Sequence, residues 1–549
     1  MKILTFFFAL TFFINPLQSQ NNNYTETKIY HSPVGDAVVP PNFIPFPTTS
    51  IQLEAIAATD RGNSQKIYVS WLSLGPAFYG TGFCFSGNGG LNWSGCYNCM
   101  NSPNNGGYPA IWIWPTGSPW GGRLGASALN NMFTATTAFF STDNGTTWTT
   151  PVITPPSGNV DRNHSCCDMT SSSPYFGRAY TAWSNFVGQT AVIVAAFSSD
   201  GGASWIASTG NVSPPSDSGH YCEAVDLACD QSGGVYAIWV NALTSSPHVE
   251  DYLGFAKSTN GGVSWTLQNN HAVNTNGIAG FLTPIHGIQI KGYPRIAVDK
   301  SGGPRNGWIY VSMPEKLVAP ARDNADVCLM RSTDGGATWT HTLVNSDTAG
   351  NYNFQAAVCV DTAGTLAISY YDTRDTTTPF CGFYMSVSTN GGNTFSDIRV
   401  NDHIFDLQPI GGQFPLIGDY TALAYANGKF WPFWNEPSSG HHQVWTTSLS
   451  IVAVNQYGTT IPSEYSLSQN YPNPFNPSTV INYSLPKSVY VKLVVYDLLG
   501  REVETLVNGL YNAGNYKVDF DGANLASGVY LYRIKAEDFE DVRKMLLVK

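Results

Sequence analysis

The sequence predicts an all-β protein with at least two domains, and three observations carry this prediction. The chain has 549 residues, which is too many for one ordinary hydrophobic core. Charged residues make up 12% and aromatic residues 13%, with 53 Gly and 33 Pro, a composition typical of turn-rich extracellular β proteins. An eight-residue motif recurs along the chain, and the residue composition and pattern change after residue 455. We therefore expect a repeated β domain followed by a smaller one.

The chain begins with MKILTFFFALTFFINPLQSQ. Lys2 gives a positive start, residues 3–14 are apolar, and small and polar residues follow. This pattern predicts a secretory signal peptide over residues 1–20, with a buried N-terminal strand as the alternative. No later apolar run is long enough to span a membrane.

The ten cysteines all lie between Cys84 and Cys381. In an exported protein an even number favours disulfides, so we expect bridges whose pairing the sequence leaves open. Cys96 and Cys99 form a CxxC, which we interpret as a local loop staple or as members of two separate bridges. A redox motif would need a βαβ setting and a zinc site a second ligand pair, and the sequence offers neither.

The recurring motif is a tight turn that ends in an aromatic residue. It reads STDGGATW from Ser332, and related copies start 55 to 74 residues apart at Ser86, Ser141, Ser198, Ser258 and Ser388. Strand-like runs flank each copy, so the motif predicts a hairpin turn. Its Ser and Asp or Asn side chains can bond to the backbone, its Gly residues allow positive φ, and its aromatic ring anchors the turn. We therefore interpret the motif aspartates, Asp143, Asp200 and Asp334, as structural.

Two more strand-like runs precede each turn, which gives four short strands per repeat. Four antiparallel strands per repeat favour a β-propeller over a linear solenoid. After the sixth turn, GDYTALAYA, GKFWPFWNE and HHQVWTTSLSIV form a seventh set of strands without the motif. A strand within residues 36–49 would complete that set, so we favour seven blades, with six as the alternative.

The motif has the S-x-D-x-G-x-x-W form of the Asp box, or BNR repeat. Residues 36–455 thus resemble the sialidase-like β-propeller superfamily, although true sialidases have six blades. The resemblance implies a Tyr nucleophile activated by a Glu, an Asp acid/base and three Arg residues on the substrate carboxylate. Glu223, Arg295, Arg374 and Tyr420 occur in the family's order. The family's early F/Y-R-I-P motif is missing, and Arg162 and Asp161 would have to substitute for its first Arg and its acid.

The segment 456–549 is predicted to be a small β-sandwich, because alternating runs such as VKLVVYDLLG and YKVDF follow a cluster of Pro and Asn. NYPNPFNPST, VYDLLGREV, LASGVYLYR and the final KMLLVK resemble a type A C-terminal sorting domain of the type IX secretion system. The resemblance implies a bacterial protein that this machinery exports and that is released or attached to the outer-membrane surface. An ordinary Ig-like binding module is the alternative.

Propellers bind ligands where the innermost strands begin, so we expect a site around the central channel. The polar and aromatic residues at these strand starts or in the nearby loops are Asp161, Arg162, His164, His220, Tyr221, Glu223, Tyr293, Arg295, Glu315, Asp372, Arg374, Asp375, Asp419, Tyr420 and Glu436. From these we assign Tyr420, Glu223 and Asp161 to catalysis. We assign Arg162, Arg295, Arg374, His220, Tyr293 and Asp419 to substrate binding. The structural alternative for each charged residue is an ion pair between blades.

Three functions remain open. The first is a secreted or cell-surface sialidase-like exo-glycosidase, and the second is a non-catalytic propeller that binds glycan or protein. The third is another acid/base chemistry on sugars, with Asp161 and Glu223 or Asp419 and Glu436 as carboxylate pairs. The net charge of −11 argues against nucleic acid as a partner. We expect a monomer with no metal or other cofactor, although Asp-rich loops such as YDTRD leave Ca²⁺ open.

Overall fold

The computed structural model describes residues 28–549 apart from 33–34, 76–77, 98–106, 131, 151, 189, 283–284, 317–324, 376–378, 411–416, 453, 458–461, 488, 512 and 523–524. The predicted signal peptide and Cys99 lie outside the described residues. The chain forms two compact units. The first lies within residues 42–447, and the second comprises residues 448–549 together with residues 28–41.

The first unit consists of seven antiparallel sheets in which consecutive strands pair, as predicted. Blade one contains Ile51–Asp60, Asn63–Gly75, Phe78–Ser86 and Ser94–Cys96. Blade two contains Ala110–Ile113, Leu124–Leu129, Thr136–Ser141 and Val152–Thr154. Blade three contains Asn159–Cys167, Ala179–Val187, Thr190–Ser198 and Ile206–Ala207. Blade four contains His220–Cys229, Val235–Leu243, Glu250–Ser258 and Thr266–Asn274. Blade five contains Arg295–Val298, Ile309–Glu315, Asp326–Ser332 and Thr340–Leu343. Blade six contains Asn353–Val360, Leu366–Asp372, Phe380–Ser388 and Ser396–Arg399. Blade seven contains Ala422–Ala426, Lys429–Glu436 and Gln443–Thr446. A hairpin of Gly280–Leu282 and Ile288–Ile290 lies between blades four and five, and Phe405–Asp406 pairs with the third strand of blade six.

The seven sheets close into a ring. The first strand of each blade lies beside the first strand of the next, and the first strand of blade seven lies beside that of blade one. Phe43 pairs with Thr446 through two backbone hydrogen bonds of 3.0 and 2.9 Å, so the start of the chain supplies the fourth segment of blade seven. The fold is therefore a seven-bladed β-propeller, which confirms the all-β prediction and the favoured blade count.

The Asp boxes form the turns between the third and fourth strands. In the box at Ser332, the Ser332 hydroxyl accepts from the Gly336 amide at 2.8 Å. The carboxylate of Asp334 accepts from the backbone amide and the hydroxyl of Thr338 at 2.9 and 2.6 Å. The Trp339 indole donates to the Gly336 carbonyl at 3.2 Å. All these bonds lie within the turn, which is what a purely structural role requires.

A second repeated feature ends the innermost strands. An aspartate stands there in five blades, and its side chain accepts backbone amides of the following turn; these residues are Asp60, Asp168, Asp230, Asp299 and Asp361. In blade four, for example, Asp230 Oδ1 accepts from the amides of Ser232 and Gly234 at 2.7 and 2.8 Å. This aspartate provides a common reference point for aligning the innermost strands.

Hydrophobic layers between neighbouring blades hold the ring together, and the cysteines belong to them. Between blades two and three, for example, Trp112, Trp114 and Trp183 pack around Cys167. The expected disulfides are wrong for eight of the ten cysteines, which are thiols: Cys84, Cys166, Cys167, Cys222, Cys229, Cys328, Cys359 and Cys381. They pack as small apolar side chains on strands. Cys96 is disulfide-bonded.

The second unit contains a β-sandwich. One sheet has Val454–Tyr457, Gly514–Asp521, Ser478–Leu485 and Ser466–Leu467, and the other has Glu502–Tyr511, Val489–Tyr496, Gly528–Ala536 and Phe539–Leu547. Alternate residues of these strands, such as Val491, Leu493 and Val495, are buried in one shared core. Lys28–Ser32, Gly35–Val39 and Ser450–Val452 form a further three-stranded sheet in this unit.

Candidate functional site

The innermost strands of four blades contain a β-bulge close to their starts. The register shifts lie between Leu53 and Ile56, Asp161 and His164, Glu223 and Asp226, and Phe354 and Ala357. One residue in each bulge has left-handed backbone geometry without being glycine: Glu54 (φ 57°), Arg162 (φ 48°), Ala224 (φ 53°) and Gln355 (φ 53°). Such backbone is strained, and bulges turn side chains in new directions. The strain is thus repeated at one end of the channel, where a ligand site was expected.

Arg162 is the centre of a cluster in the channel mouth. Its Nε donates to Glu223 Oε1 at 2.7 Å, and its Nη1 forms a short contact with Asp419 Oδ2. Its guanidinium carbon lies 4.8 Å from the centre of the Tyr293 ring and 5.9 Å from that of Tyr108. Arg162 comes from blade three and Asp419 precedes the first strand of blade seven, and these blades are not neighbours in the ring. The ion pair therefore spans the channel.

A second group of contacts also crosses the channel. Arg295 of blade five donates from Nε to Asp226 Oδ2 of blade four at 3.0 Å, and its Nη2 lies 3.1 Å from His164 Nε2 of blade three. His164 Nδ1 lies 2.6 Å from Asp226 Oδ1. The Arg295 guanidinium carbon lies 5.7 Å from the ring centre of Tyr420, which belongs to the segment leading into blade seven. With Glu54 of blade one and Tyr108, which leads into blade two, six blades contribute to the mouth.

Glu54 is the carboxyl group that the sequence did not reveal. It is 4% exposed, and its Oε2 has no hydrogen-bond partner among the described residues. Burial, helped by the negative charge of Asp419, raises the pKa of Glu54 to about 8. A carboxyl group of this kind is protonated at neutral pH. The alignment of strand ends would have exposed it, since Glu54 stands as far before Asp60 as Arg162 does before Asp168.

The other carboxyl groups of the mouth differ from Glu54 in their surroundings. Burial raises the pKa of Asp161 to about 6, against the opposing effect of Arg162, and 31% of this side chain stays exposed. For Glu223, burial is outweighed by Arg162, Lys291 and a 3.0 Å hydrogen bond from the Tyr221 hydroxyl, so its pKa lies below the ordinary value. The mouth therefore holds one neutral acid beside ionised carboxylates.

Tyr420 is held in its phenol form. Burial raises its pKa well above the ordinary value, and the negative charge that Glu54 gains when it ionises adds to this effect. Glu223 was expected to activate Tyr420, but its two oxygens accept from Arg162 and Tyr221. The carboxyl group with the largest electrostatic effect on Tyr420 is Glu54.

Of the nine residues assigned from sequence, the contacts join seven: Asp161, Arg162, Glu223, Tyr293, Arg295, Asp419 and Tyr420. The other two make different contacts. Arg374 Nη2 lies 2.7 Å from Asp372 Oδ2 of its own blade, and its guanidinium stacks 4.6 Å from the ring centre of Tyr384. His220 Nε2 lies 2.9 Å from Asp251 Oδ2.

The alternative carboxylate pair Asp419 and Glu436 is divided between separate groups. Asp419 pairs with Arg162 in the mouth, whereas Glu436 Oε1 lies 2.8 Å from His403 Nε2. The pair Asp161 and Glu223 stays within the cluster, because both carboxylates neighbour Arg162.

Residues 469–549 match the family model described as the secretion system C-terminal sorting domain. The protein is thus a secreted or surface-attached bacterial protein whose tail addresses this secretion machinery. The described residues contain no helix with the length and apolar character needed to cross a membrane.

Several solved structures resemble the chain, and no curated protein matches it. A protein of unknown function from Dyadobacter fermentans is 12% identical, with a TM-score of 0.41 over 76% of this chain and 100% of that one. A Hadza microbial sialidase is 14% identical, with a TM-score of 0.40 over 58% and 63% of the two chains. An α-L-arabinofuranosidase from Fusarium graminearum is 13% identical, with a TM-score of 0.40 over 75% and 98%.

Proposed function

We propose that the channel mouth is a glycan-cleaving site in which Glu54 donates a proton and Asp161 accepts one. The observation that carries this proposal is the placement of Glu54, a buried carboxyl group whose Oε2 has no partner among the described residues, in a mouth where Glu223 and Asp419 pair with Arg162. Burial raises the pKa of Glu54 to about 8, whereas that of Glu223 lies below the ordinary value. Two carboxyl groups whose surroundings separate their pKa values are the usual acid and base of glycoside cleavage. Glu54 Oε2 has no hydrogen-bond partner among the described residues, so no protein acceptor in that part of the chain holds its proton.

Asp161 suits the role of base. It is the most exposed carboxylate of the Arg162 cluster, so a water molecule can reach it. Glu223 and Asp419 position Arg162, which in turn stacks on Tyr293. The rings of Tyr108 and Tyr420 are partly exposed and provide surfaces on which a sugar can stack.

The charge of the mouth favours a neutral sugar over sialic acid. Each guanidinium group already faces protein carboxylates: Arg162 pairs with Glu223 and Asp419, and Arg295 pairs with Asp226. A substrate carboxylate would have to displace these partners and would add negative charge to an acidic cluster. The sialidase-type assignment, with Tyr420 as nucleophile and Glu223 as its activator, is the second candidate, and the order of residues along the chain favours it. Binding of glycan without cleavage is the third.

The test is sugar release by the full-length protein from matched neutral and sialylated glycans. We expect release from the neutral panel with a rate that rises as Asp161 ionises near pH 6 and falls as Glu54 ionises near pH 8. Glu54→Gln should lower the rate by about 100-fold or more. Asp334→Asn, in an Asp box, is the matched control and should leave the rate unchanged.

The outcomes separate the three candidates. Release of sialic acid that is lost in Tyr420→Phe would replace the proposal with the sialidase-type assignment. Glycan binding without release would replace it with the non-catalytic propeller. Full activity of Glu54→Gln would refute the role given to Glu54.

A further inference from the structure

Blade five contains a group of possible metal ligands outside the channel-mouth cluster. Glu315 ends the second strand, Cys328 lies on the third and His341 on the fourth. Cys328 is opposite Met313 and Leu343, and His341 is opposite Met330. Because side chains alternate along strands and opposite residues share a face, Glu315, Cys328 and His341 all project from one face of the blade. Their ligand atoms lie within 4.8 Å of one another.

The buried carboxylate is only half satisfied. Glu315 is fully buried, and its Oε2 lies 2.5 Å from His341 Nε2. Its Oε1 has no hydrogen-bond partner within the part of the chain that the structure describes. A buried carboxylate oxygen without a partner is costly, and a cation would satisfy it.

Blade seven offers a comparison. Glu436, which likewise ends the second strand of its blade, lies 2.8 Å from His403 Nε2, and His403 Nδ1 lies 2.6 Å from Asp402 Oδ1. In that group the imidazole has a carboxylate on each side and no cysteine is among the ligands. Glu436 Oε2, like Glu315 Oε1, has no hydrogen-bond partner among the described residues. A buried Glu–His pair with one unpartnered carboxylate oxygen therefore occurs in both blades, and the thiol of Cys328 is what distinguishes blade five.

We propose that Glu315, Cys328 and His341 bind a zinc ion. A thiolate, an imidazole and a carboxylate are the ligands that Zn²⁺ takes in proteins, whereas Ca²⁺ and Mg²⁺ prefer oxygen ligands alone. Tetrahedral Zn–S and Zn–N bonds place ligand atoms roughly 3–4 Å apart, so the cluster accommodates the ion with small side-chain shifts. The ion would replace the direct bond between His341 and Glu315. Binding releases the proton of the Cys328 thiol, and the proton of the His341–Glu315 hydrogen bond leaves His341 Nε2, because a zinc-bound nitrogen carries no proton.

The fourth position of the ion is left to water. Three protein ligands leave one tetrahedral position open, and the His341 side chain is 40% exposed, so solvent reaches that side of the cluster. The ion would link the second, third and fourth strands of blade five, and it would stabilise the folded protein by mass action. The site is independent of the chemistry proposed for the channel mouth.

The test uses chelator-treated, full-length protein to which Zn²⁺ or Co²⁺ is returned. We expect one tightly held zinc per chain by elemental analysis and a thiolate-to-cobalt charge-transfer band. His341→Gln, at the exposed ligand, and Cys328→Ser should each lower zinc affinity by at least about tenfold, and Cys328→Ser should remove the band. His403→Gln is the matched control, because it removes an imidazole from a Glu–His group without a thiol, and it should retain both signals.

Two results would overturn the proposal. One is the absence of stoichiometric zinc from the reconstituted wild-type protein. The other is a cobalt–thiolate band that survives in Cys328→Ser, which would assign the metal to another of the thiols. If Cys328→Ser does not fold, His341→Gln decides by its zinc affinity, since it alters a partly exposed side chain. Sugar release from the channel mouth is a separate readout, so failure of either proposal leaves the other standing.

Discussion

The channel mouth and the Asp boxes use the same kind of side chain in opposite ways. In the boxes, hydrogen bonds from Thr147 and Thr338 hold the pKa values of the exposed Asp143 and Asp334 at about 2. In the mouth, burial raises the pKa of Glu54 to about 8 and that of Asp161 to about 6. A box carboxylate is paired within its own turn, whereas a mouth carboxylate depends on residues from other blades.

The difference shows how a repeat can carry a single site. A box must close the same hairpin in each blade, so its bonds are local and it can be repeated. The mouth is the one place where innermost strands from all sides converge, so each blade can supply a different side chain there. Glu54 and Arg162 occupy equivalent positions in the bulges of two innermost strands, and Tyr420 lies just before the first strand of a third blade. Equivalent backbone positions thus hold unlike chemistry.

The largest effect is expected at Arg162. Arg162→Met would remove the guanidinium partner of the buried Glu223 and the partly buried Asp419, and breaking such a pair typically costs about 3–5 kcal/mol in the free energy of unfolding. Urea unfolding followed by tryptophan fluorescence measures this, because all 15 tryptophans lie before residue 446 and report on the propeller. His220→Gln breaks the pair with the half-exposed Asp251 and should cost less than about 1 kcal/mol. Equal costs for both variants would contradict the distinction between mouth and periphery.

The next effect concerns the pH dependence of stability through Glu54. Its folded pKa of about 8 lies above the ordinary unfolded value, so between these two pH values the folded state keeps a proton that the unfolded state has lost. Glu54 therefore stabilises the fold less and less as pH rises through this window. Between pH 5 and pH 8, wild type should lose on the order of 3 kcal/mol more than Glu54→Gln, which cannot ionise. Parallel pH profiles for the two proteins, measured by urea unfolding, would show that Glu54 titrates normally.

A third prediction compares two adjacent glycines of one box. A Cβ added at Gly336 would lie 2.0 Å from Cε1 of Phe255, and this residue has φ +96°, so Gly336→Ala should cost about 2–3 kcal/mol. At Gly335 the added Cβ would meet nothing within 4 Å, and only the φ of +76° opposes the change, so Gly335→Ala should cost about 1 kcal/mol. The box at Ser141 agrees with this ranking, since Asn144 occupies the first position with φ 56° and Gly145 the second. Unfolding free energies in the reverse order would contradict the packing account.

The sequence predicts the propeller well because its signals are local. Each box lies within one hairpin, so Ser332, Asp334 and Trp339 reveal a turn without knowledge of any other blade. The sorting domain is recognised for a similar reason, since its motifs are contiguous runs of sequence, and residues 469–549 match a family model.

The mouth was harder to predict because its residues meet only through tertiary structure. His220 and Glu223 both belong to the first strand of blade four, but a three-residue separation places them on opposite faces, and only Glu223 meets Arg162. Arg374 lies beyond its strand and folds back on Asp372. The Asp boxes mark the third and fourth strands of each blade and so do not point to Glu54, which lies on a first strand. The aspartates that end the innermost strands are the better guide to this site.

The smallest change in stability is expected for Asp334→Asn, which tests whether an Asp-box carboxylate acts only within its own turn. The amide oxygen of Asn can accept the same bonds, as Asn390 does from the Thr394 amide at 3.1 Å in the last box. Unfolding at pH 7 should therefore be unchanged. Hydrogen bonds hold the folded pKa of Asp334 at about 2, so its carboxylate stabilises the fold above the ordinary pKa of an aspartate, and this contribution is lost as pH falls toward 2. Wild type should lose stability over this acidic range and Asp334→Asn should lose less, as urea midpoints at pH 7 and near pH 2.5 would show. A large loss of unfolding free energy at pH 7 would mean that the charge of Asp334 contributes to stability beyond its own turn. That result would contradict the contrast between the Asp-box carboxylates and Glu54.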